Sequence, residues 1–556
     1  MDRPSRSAKP PTGQGERDTT TEGALTLATY FAAFGRAPAW EELPAWPPDV
    51  FCLCNLLLDH SEAYRFAVAP PSGRHWPPAP DWNAGIATAA RAWRDACAGA
   101  APGSNEIVLP AGLPGLLTRH WSVVTAARDL PVSQVASGEA WKVCESLLTL
   151  HALADEACAS LEATEPPSLP DAMERRAWAL LSRGSLSRVS PRRVRIVPKT
   201  NLTLRGITIR SMSRYLALFY ESVDVRWKRV ESEPARVTPP VRQRGYNVLL
   251  VPWPLEVHAS DFRPVPGPLE NMDPDLFGFF EFAPRQRLDC ARVRDLLGAA
   301  QSRVGQVDAV VLPESAVTAD EVTLLEDALR EFGATFLVAG VRQPASEEQF
   351  GRNYLHFGVW TGDGWARYQQ DKHHRWCLDG NQIRQYHLSR SLDARKLWWE
   401  AIDIRSRAIH VIDVGGGTTA APLVCEDLAR MDEVNDLLRR IGPSLVLAVL
   451  LDGPQLVSRW PCRYASVLAD EPGSTVLTVT SFGMVRRSRP PGLPPSRAIA
   501  LWNDSQHGVK EIRLGVGAGA VLLETSLEGK TLWTADGRRH TGVPDLVLSG
   551  TRQVRL

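Results

Sequence analysis

The chain has 556 residues, with 63 Lys plus Arg against 63 Asp plus Glu and a formal net charge of zero. That length is well beyond the size at which one hydrophobic core keeps growing, so two domains are expected, each able to bury a sizeable core. The balanced charge excludes a global field for nucleic acid or an anionic membrane, and any charge argument has to be regional.

Residues 1–23, "MDRPSRSAKPPTGQGERDTTTEG", are polar and lack an apolar run, which predicts a disordered leader and not a signal peptide. Residues 24–182 predict a helical domain: "ALTLATYFAAFGRA", "DVFCLCNLLLDHSEAYRF", "AGIATAARAWRDACAGA" and "AWKVCESLLTLHALADEACASLEA" carry apolar residues at three- and four-residue spacing. Pro-rich joints such as "APPSGRHWPPAPDW" separate them as loops. Residues 183–245 form a basic, strand-containing segment and linker. Arg183 to Arg229 holds only Glu221 and Asp224 as acids. It reads either as a solvated or interdomain face or as a phosphate-binding face. Nucleic acid stays open as a partner without support, because the stretch lacks the interleaved aromatics of a stacking platform.

From residue 246 to 550 strands alternate with helices. "YNVLLVPWPLEV", "DAVVLPES", "ATFLVAGVR" and "SLVLAVLL" read as strands, and "CARVRDLLGAAQSRVG", "ADEVTLLEDALREFG" and "MDEVNDLLRRIG" as helices. "NYLHFGVWTGDGWARYQQDK" and "AIHVIDVGGGTTAAPLVCED" read as hairpins, and the whole pattern predicts an α/β layered domain. Nine cysteines in no small-domain framework predict reduced thiols and a cytoplasmic location. No apolar run approaches the roughly 20 residues a membrane-crossing helix needs, so no membrane partner is expected.

Three apolar strands or hairpins each end on a functional group: Glu314 in "VVLPES", Lys372 in "RYQQDK" and Cys425 in "APLVCED". Nucleophilic cysteine chemistry needs a thiolate, a base to make it, and a positive or N–H donor where the oxyanion forms. These three motifs, in this order, resemble the carbon–nitrogen hydrolase, or nitrilase, superfamily, over about Tyr246 to Leu548. "VCEDLAR" is similar to the turn of the glutaminase domains of NAD synthetases. "SRWPCRYASVLADEPGSTVLTVTSFG" resembles the family's helix and core strand, and "SRAIALWNDSQHGVKEIRLGVGAGAVLLETSLEG" its closing hairpin. The resemblance implies an α-β-β-α sandwich, with the helical domain ahead of it unexplained.

It also implies a mechanism on a small-molecule amide or nitrile, with no cofactor and no metal. Glu314 takes the Cys425 proton, the thiolate attacks, and Lys372 with a backbone N–H stabilises the developing charge. A second glutamate is implied between lysine and cysteine. Glu400 is the reading taken, with Asp379, nearer to Lys372, as its rival. The stretch from "HASDFRPVPG" to "FEFAPRQR" is longer than a minimal member would carry. Two other functions remain open. One is a non-catalytic or regulatory partner in a bacterial defence system, since "KHHRW" resembles nitrilase-like domains that accompany reverse transcriptases. The other is thioester-based acyl transfer to an amine. A homodimer through the nitrilase-like domain is expected, because the outward faces of "MDEVNDLLRRIG" and "WPCRYASVLADE" are apolar; cover by the N-terminal domain would leave a monomer instead.

Simpler readings compete at several positions. Glu426 and Asp427 read as N-terminal caps of the helix through "MDEVNDLLRR". His373 and His374 read as pocket-mouth residues or packing beside Trp376, since their spacing matches no structural zinc site. "DVGGGTTA" reads as a hairpin turn, because no Gly-Lys-Ser/Thr follows.

Overall fold

The structure is a computed structural model that describes residues 25–33, 43–98, 114–159, 195–202, 206–219, 223–229, 244–266, 272–346, 349–404, 407–415, 417–488 and 496–556. The leader, residues 183–194 and the linker up to 243 lie outside the described residues.

Among the described residues the first helices are α1 (Leu27–Ala33), α2 (Pro47–His60), α3 (Trp82–Ala98), α4 (Gly115–Ala126) and α5 (Trp141–Ala157). Both α2 and α5 are buried along nearly their whole length, and they form the centre of this unit. The basic segment supplies β1 (Arg195–Pro198), paired antiparallel with β2 (Leu216–Phe219), and then β3 (Asp224–Arg229).

The rest of the chain runs through β4 (Arg244–Leu250), β5 (Phe262–Val265), β6 (Phe277–Phe282), α6 (Cys290–Val304), β7 (Ala309–Val317), α7 (Ala319–Glu331), β8 (Phe336–Gln343), β9 (Arg352–Trp360) and β10 (Trp365–Asp371). It continues through β11 (Cys377–Leu378), α8 (Gly380–Gln385), β12 (Leu397–Glu400), β13 (Ala408–Gly415), β14 (Thr418–Val424), α9 (Asp436–Ile441), β15 (Leu445–Leu450) and α10 (Trp460–Asp470). It closes with β16 (Thr475–Thr480), α11 (Phe482–Arg487), β17 (Ala498–Asp504), β18 (Gly508–Arg513), β19 (Ala520–Trp533) and β20 (Arg539–Val554).

These strands build two seven-stranded sheets, ordered β10-β9-β8-β7-β4-β19-β20 and β18-β17-β16-β15-β14-β13-β3. Strands β7, β14, β15 and β16 are buried almost throughout, as near-continuous apolar runs between two layers must be. The sheets pack face to face through Val311, Val338, Phe357, Val424, Val449, Val479 and Leu523. Helices α6 and α7 cover the outer face of the first sheet, packing Val293, Leu296, Leu297 and Leu325 on Leu249, Val310 and Leu337. Their starts are encoded locally. Asp289 caps α6 by accepting from Ala291 N at 3.0 Å, and the T-A-D-E run at α7 lets Glu321 accept from Thr318 N at 2.8 Å. With α9 and α10 on the second sheet, the fold is the α-β-β-α sandwich of the α/β class.

Two arrangements differ from the expectations. Strand β3 pairs in parallel with β13, so the basic segment contributes an edge strand to the second sheet, ahead of the expected boundary at residue 246. Among its described cations, Arg195 holds Asp224 at 2.7 Å and Arg210 holds Asp436 at 2.8 Å. The helix through "MDEVNDLLRR" is also shorter than its pattern. Residues Met431–Asn435 form a wide turn, and the α-helix begins at Asp436.

Buried residues of α9 and α10, the helices on which a homodimer was expected, belong to one core cluster with the N-terminal helices. Leu437, Leu438, Ile441, Cys462 and Leu468 share it with Phe51, Leu57, Leu147 and Phe219. Helix α9 packs on β2, where Arg440 Nη1 donates to Leu218 O at 3.0 Å, so the chain itself covers that helix.

Candidate active site

The three candidate groups reach the same edge of the sandwich by different local devices, and Glu314 lies within β7 rather than at the strand end the sequence led us to expect. Glu314 lies where the β7–β8 ladder breaks between Leu312 and Val317, and such a bulge turns a side chain out of the pleat. The bulge is possible because Gly340 faces it: a Cβ there would lie 2.3 Å from Glu314 Cα. Lys372 follows β10 directly, its N–H bonded to Asn353 O at 3.0 Å. Cys425 follows β14 with φ of +49°, and Ser315 beside Glu314 has φ of +52°. Two non-glycine residues in the left-handed region flank the cluster, where the surrounding fold has to bear their strain.

The side chains meet. Lys372 Nζ donates to Glu314 Oε1 at 2.8 Å and to Glu400 Oε2 at 2.6 Å. Asn353 Nδ2 bridges the same two carboxylates, at 2.7 Å to Glu314 Oε1 and 2.7 Å to Glu400 Oε1. Leu451 N–H donates to the other Glu314 oxygen at 2.5 Å. Glu314 and Lys372 are essentially inaccessible and Cys425 is 5% exposed. Such burial makes the protonation states of the group interdependent.

Burial pushes the Glu314 carboxyl up; Lys372 opposes that, Glu400 adds to it, and hydrogen bonds from Lys372 and Cys425 temper it without reversing it. Burial also works against the Lys372 charge, yet Glu314, Glu400 and Cys425 outweigh it and hold the ammonium well above the ordinary lysine range. Burial and then the Glu314 carboxylate drive the Cys425 thiol well above its usual range, with Lys372 and the Leu451 N–H pulling the other way. The resting arrangement is thus a neutral thiol near a carboxylate of raised proton affinity, beside a fixed ammonium.

Glu400 and not Asp379 stands against Lys372. It arrives on β12, part of a four-stranded sheet ordered β11-β12-β6-β5, of which the long insertion after β4 supplies β5 and β6. Its Oε2 also accepts from Trp376 N at 3.2 Å. Asp379 caps α8 instead, accepting from Gln382 N at 2.7 Å.

The expected capping by Glu426 and Asp427 is not what the structure shows. Asp427 is buried and accepts from His373 N at 3.0 Å, with His374 Nδ1 at 2.8 Å, so it ties the turn after Cys425 to the turn after Lys372. Glu426 pairs with Arg430. His373 is buried and held by Gln370 and the Ala408 carbonyl. Sequence reasoning missed Asn353 and the Leu451 N–H. The signal for Asn353 was a polar residue opening an otherwise apolar strand at the edge where Glu314 ends.

Among the described residues no cluster of three or more His, Cys, Asp or Glu is arranged to hold a metal ion, and no helix is long and apolar enough to cross a membrane.

The fold and site together define an α-β-β-α sandwich with a buried Glu-Lys-Glu cluster beside a cysteine. No protein-family model matches the chain, and no curated protein matches it significantly. Among solved structures it is similar to a cysteine-to-alanine mutant of an amidase of the nitrilase superfamily from Nesterenkonia AN1. The identity is 16%, over 51% of this chain and 91% of that one, with a TM-score of 0.31. A glutamate-to-glutamine mutant of that amidase carries the acetamide moiety of fluoroacetamide covalently at its active site cysteine. Nit3 of Saccharomyces cerevisiae, a member of branch 10 of the nitrilase superfamily, matches at 12% identity over 48% of this chain and 84% of that one, with a TM-score of 0.30. Glutamine-dependent NAD+ synthetase from Acinetobacter baumannii matches at 12% identity over 42% of each chain, with a TM-score of 0.27.

Proposed function

We propose that the chain is a carbon–nitrogen hydrolase that cleaves an amide or nitrile through a thioester on Cys425. One observation supports the reading: a lysine ammonium locked between two buried carboxylates, one of which lies close enough to Cys425 to raise the proton affinity of its thiol. A thiol with so high a proton affinity reacts only as its proton leaves, and Glu314, whose own affinity is raised, is placed to take it. The Cys425 sulfur then bonds to the substrate carbon, and the carbonyl or nitrile π-electrons move toward Lys372. With an amide, Glu314 returns the proton to the nitrogen, the C–N bond breaks and ammonia or an amine leaves. Water, deprotonated by Glu314, attacks the thioester and releases the acid. A nitrile gives a thioimidate first, which one water converts to the thioester with loss of ammonia.

The test is intact-mass measurement after exposure to a panel of amides and nitriles. An acyl adduct on Cys425, followed by release of ammonia and acid, is expected. Transfer of the acyl group to an added amine in place of water would establish the acyltransferase alternative, and no adduct with any compound would favour the non-catalytic partner in a defence system. Cys425→Ala should lose the adduct and all turnover while costing only about 1 kcal/mol of stability, the scale of a small buried deletion. Retained turnover in that variant would end the proposal.

The carboxylates separate in a second experiment. Glu400→Gln removes one of the two counter-charges of Lys372 and is expected to lower turnover about 10²-fold, the effect of losing roughly 3 kcal/mol of transition-state stabilisation. Asp379→Asn keeps a capping side chain and should leave turnover unchanged. Kinetics on both variants read the ranking, and the reverse order would move the role to Asp379.

A further inference from the structure

A cavity of about 320 Å³ opens at the edge of the first sheet and is lined by five arginines. Arg263 comes from β5, Arg285 and Arg287 from the loop before α6, Arg342 from the end of β8 and Arg352 from the start of β9. The same wall includes Asn353 and Glu400, so the cavity adjoins the Lys372 cluster while Cys425 lies outside its lining.

Guanidinium groups gathered around one space repel each other unless acids compensate them. Here compensation is incomplete. Arg352 holds Asp371 at 2.8 Å, Arg285 stands 3.8 Å from Asp261, and Arg342 stands 3.9 Å from Glu321 while donating to the Ser315 carbonyl at 2.8 Å. Glu400 is taken by Lys372. Arg263 and Arg287 have no side-chain hydrogen bond or ion pair among the described residues, and the remaining acid in the lining is Glu281, opposite Arg263 in the β5–β6 register. Burial, joined by the like charge of Arg287, lowers the proton affinity of Arg342 despite Glu321. Arg352 Nε is buried with no hydrogen-bond partner. Positive charge that the lining acids do not offset thus surrounds a space of the size that small ligands occupy.

We propose that this cavity binds a small anion, a phosphate or carboxylate group, held by Arg287 and Arg342 with Arg263 at the mouth. Planar guanidinium forks match both oxyanions in geometry, and an anion between Arg287 and Arg342 would relieve their repulsion. Cys425 does not line the cavity, so the test is binding and not turnover.

Calorimetric titration with inorganic phosphate and, separately, with glutarate, at constant ionic strength in chloride, reads the affinity. Wild type and Cys425→Ala should bind equally, and the tighter of the two anions names the ligand class. Arg287→Ala, a change at an exposed residue without contacts to lose, should weaken binding about tenfold, the scale of one charge-assisted contact. Arg552→Ala, on an exposed pair with Glu524 at 2.6 Å away from the cavity, should bind as wild type does. Absence of binding by wild type to either anion, or an Arg287→Ala affinity equal to that of wild type, would overturn the assignment.

Discussion

Lys372→Met is expected to destabilise the protein by about 3–5 kcal/mol and to abolish turnover, the combination that follows from removing one partner of a buried ion cluster. Methionine fills nearly the same volume, so packing changes little and the cost is electrostatic. It arises because Glu314 and Glu400, bridged by Asn353, are left as two buried carboxylates with no cation. Relief is available only by protonation. Glu314, already raised by burial, would rise further in the variant, and a carboxyl whose folded pKa is raised stabilises the fold below its unfolded value and loses that contribution as pH climbs through the folded one. The gap between variant and wild type should therefore narrow as pH falls toward about 4, where an ordinary glutamate is half protonated. Urea unfolding between neutral and mildly acidic pH measures this. A gap independent of pH would show that Lys372 contributes by packing and not by charge. The double replacement Lys372→Met with Glu400→Gln should regain part of the stability and none of the turnover, which separates the cluster's structural role from its proposed chemical one.

The parts of this site that were legible in sequence are those built by short-range pattern. The apolar run into Glu314, and the hairpins that stop at Lys372 and Cys425, can be seen because each strand and its functional residue are neighbours in the chain, although β7 runs on past Glu314 to Val317. The position of Glu400 could not be read in the same way. Its strand β12 has four residues and pairs in parallel with β6, which belongs to an insertion far upstream, so no local propensity marks the partner or the register. Asp427 failed for a related reason. A carboxylate ahead of a helical pattern normally caps it, but here His373 and His374 from the preceding hairpin compete for that carboxylate, and the helix starts only at Asp436. The parallel partnership of β3 with β13 was hidden too, since a basic strand at a sheet edge looks like a solvated stretch until its neighbour is known.

Arg538→Met carries the other large expected effect, again a loss of about 3–5 kcal/mol, and it tests how the helical unit is fastened to the sandwich. The β19–β20 hairpin runs past the end of its sheet, and its turn reaches the N-terminal helices: Trp76 Nε1 donates to Asp536 O at 2.9 Å and Asn83 Nδ2 to Gly537 O at 3.0 Å. Arg538 is buried there, 2.9 Å from Asp155, 3.2 Å from Glu156 and 3.0 Å from Asp536, and it donates to Met212 O at 2.9 Å. Asp155 at the end of α5 also accepts from the N–H groups of Arg214, Tyr215 and Leu216, which fixes the entry into β2. One guanidinium thus joins α5, the segment before β2 and a hairpin of the sheet that carries Glu314. Arg538→Lys should fall between wild type and Arg538→Met, because a point charge cannot serve the same set of acceptors as a planar fork. Arg552→Met, at the exposed end of the same hairpin, should cost no more than about 1 kcal/mol, as surface pairs do. Denaturant midpoints for the three variants decide it: an Arg538→Met loss no larger than that of Arg552→Met would mean that apolar packing alone, through Phe51, Leu147, Leu437 and Leu468, holds the helical unit in place.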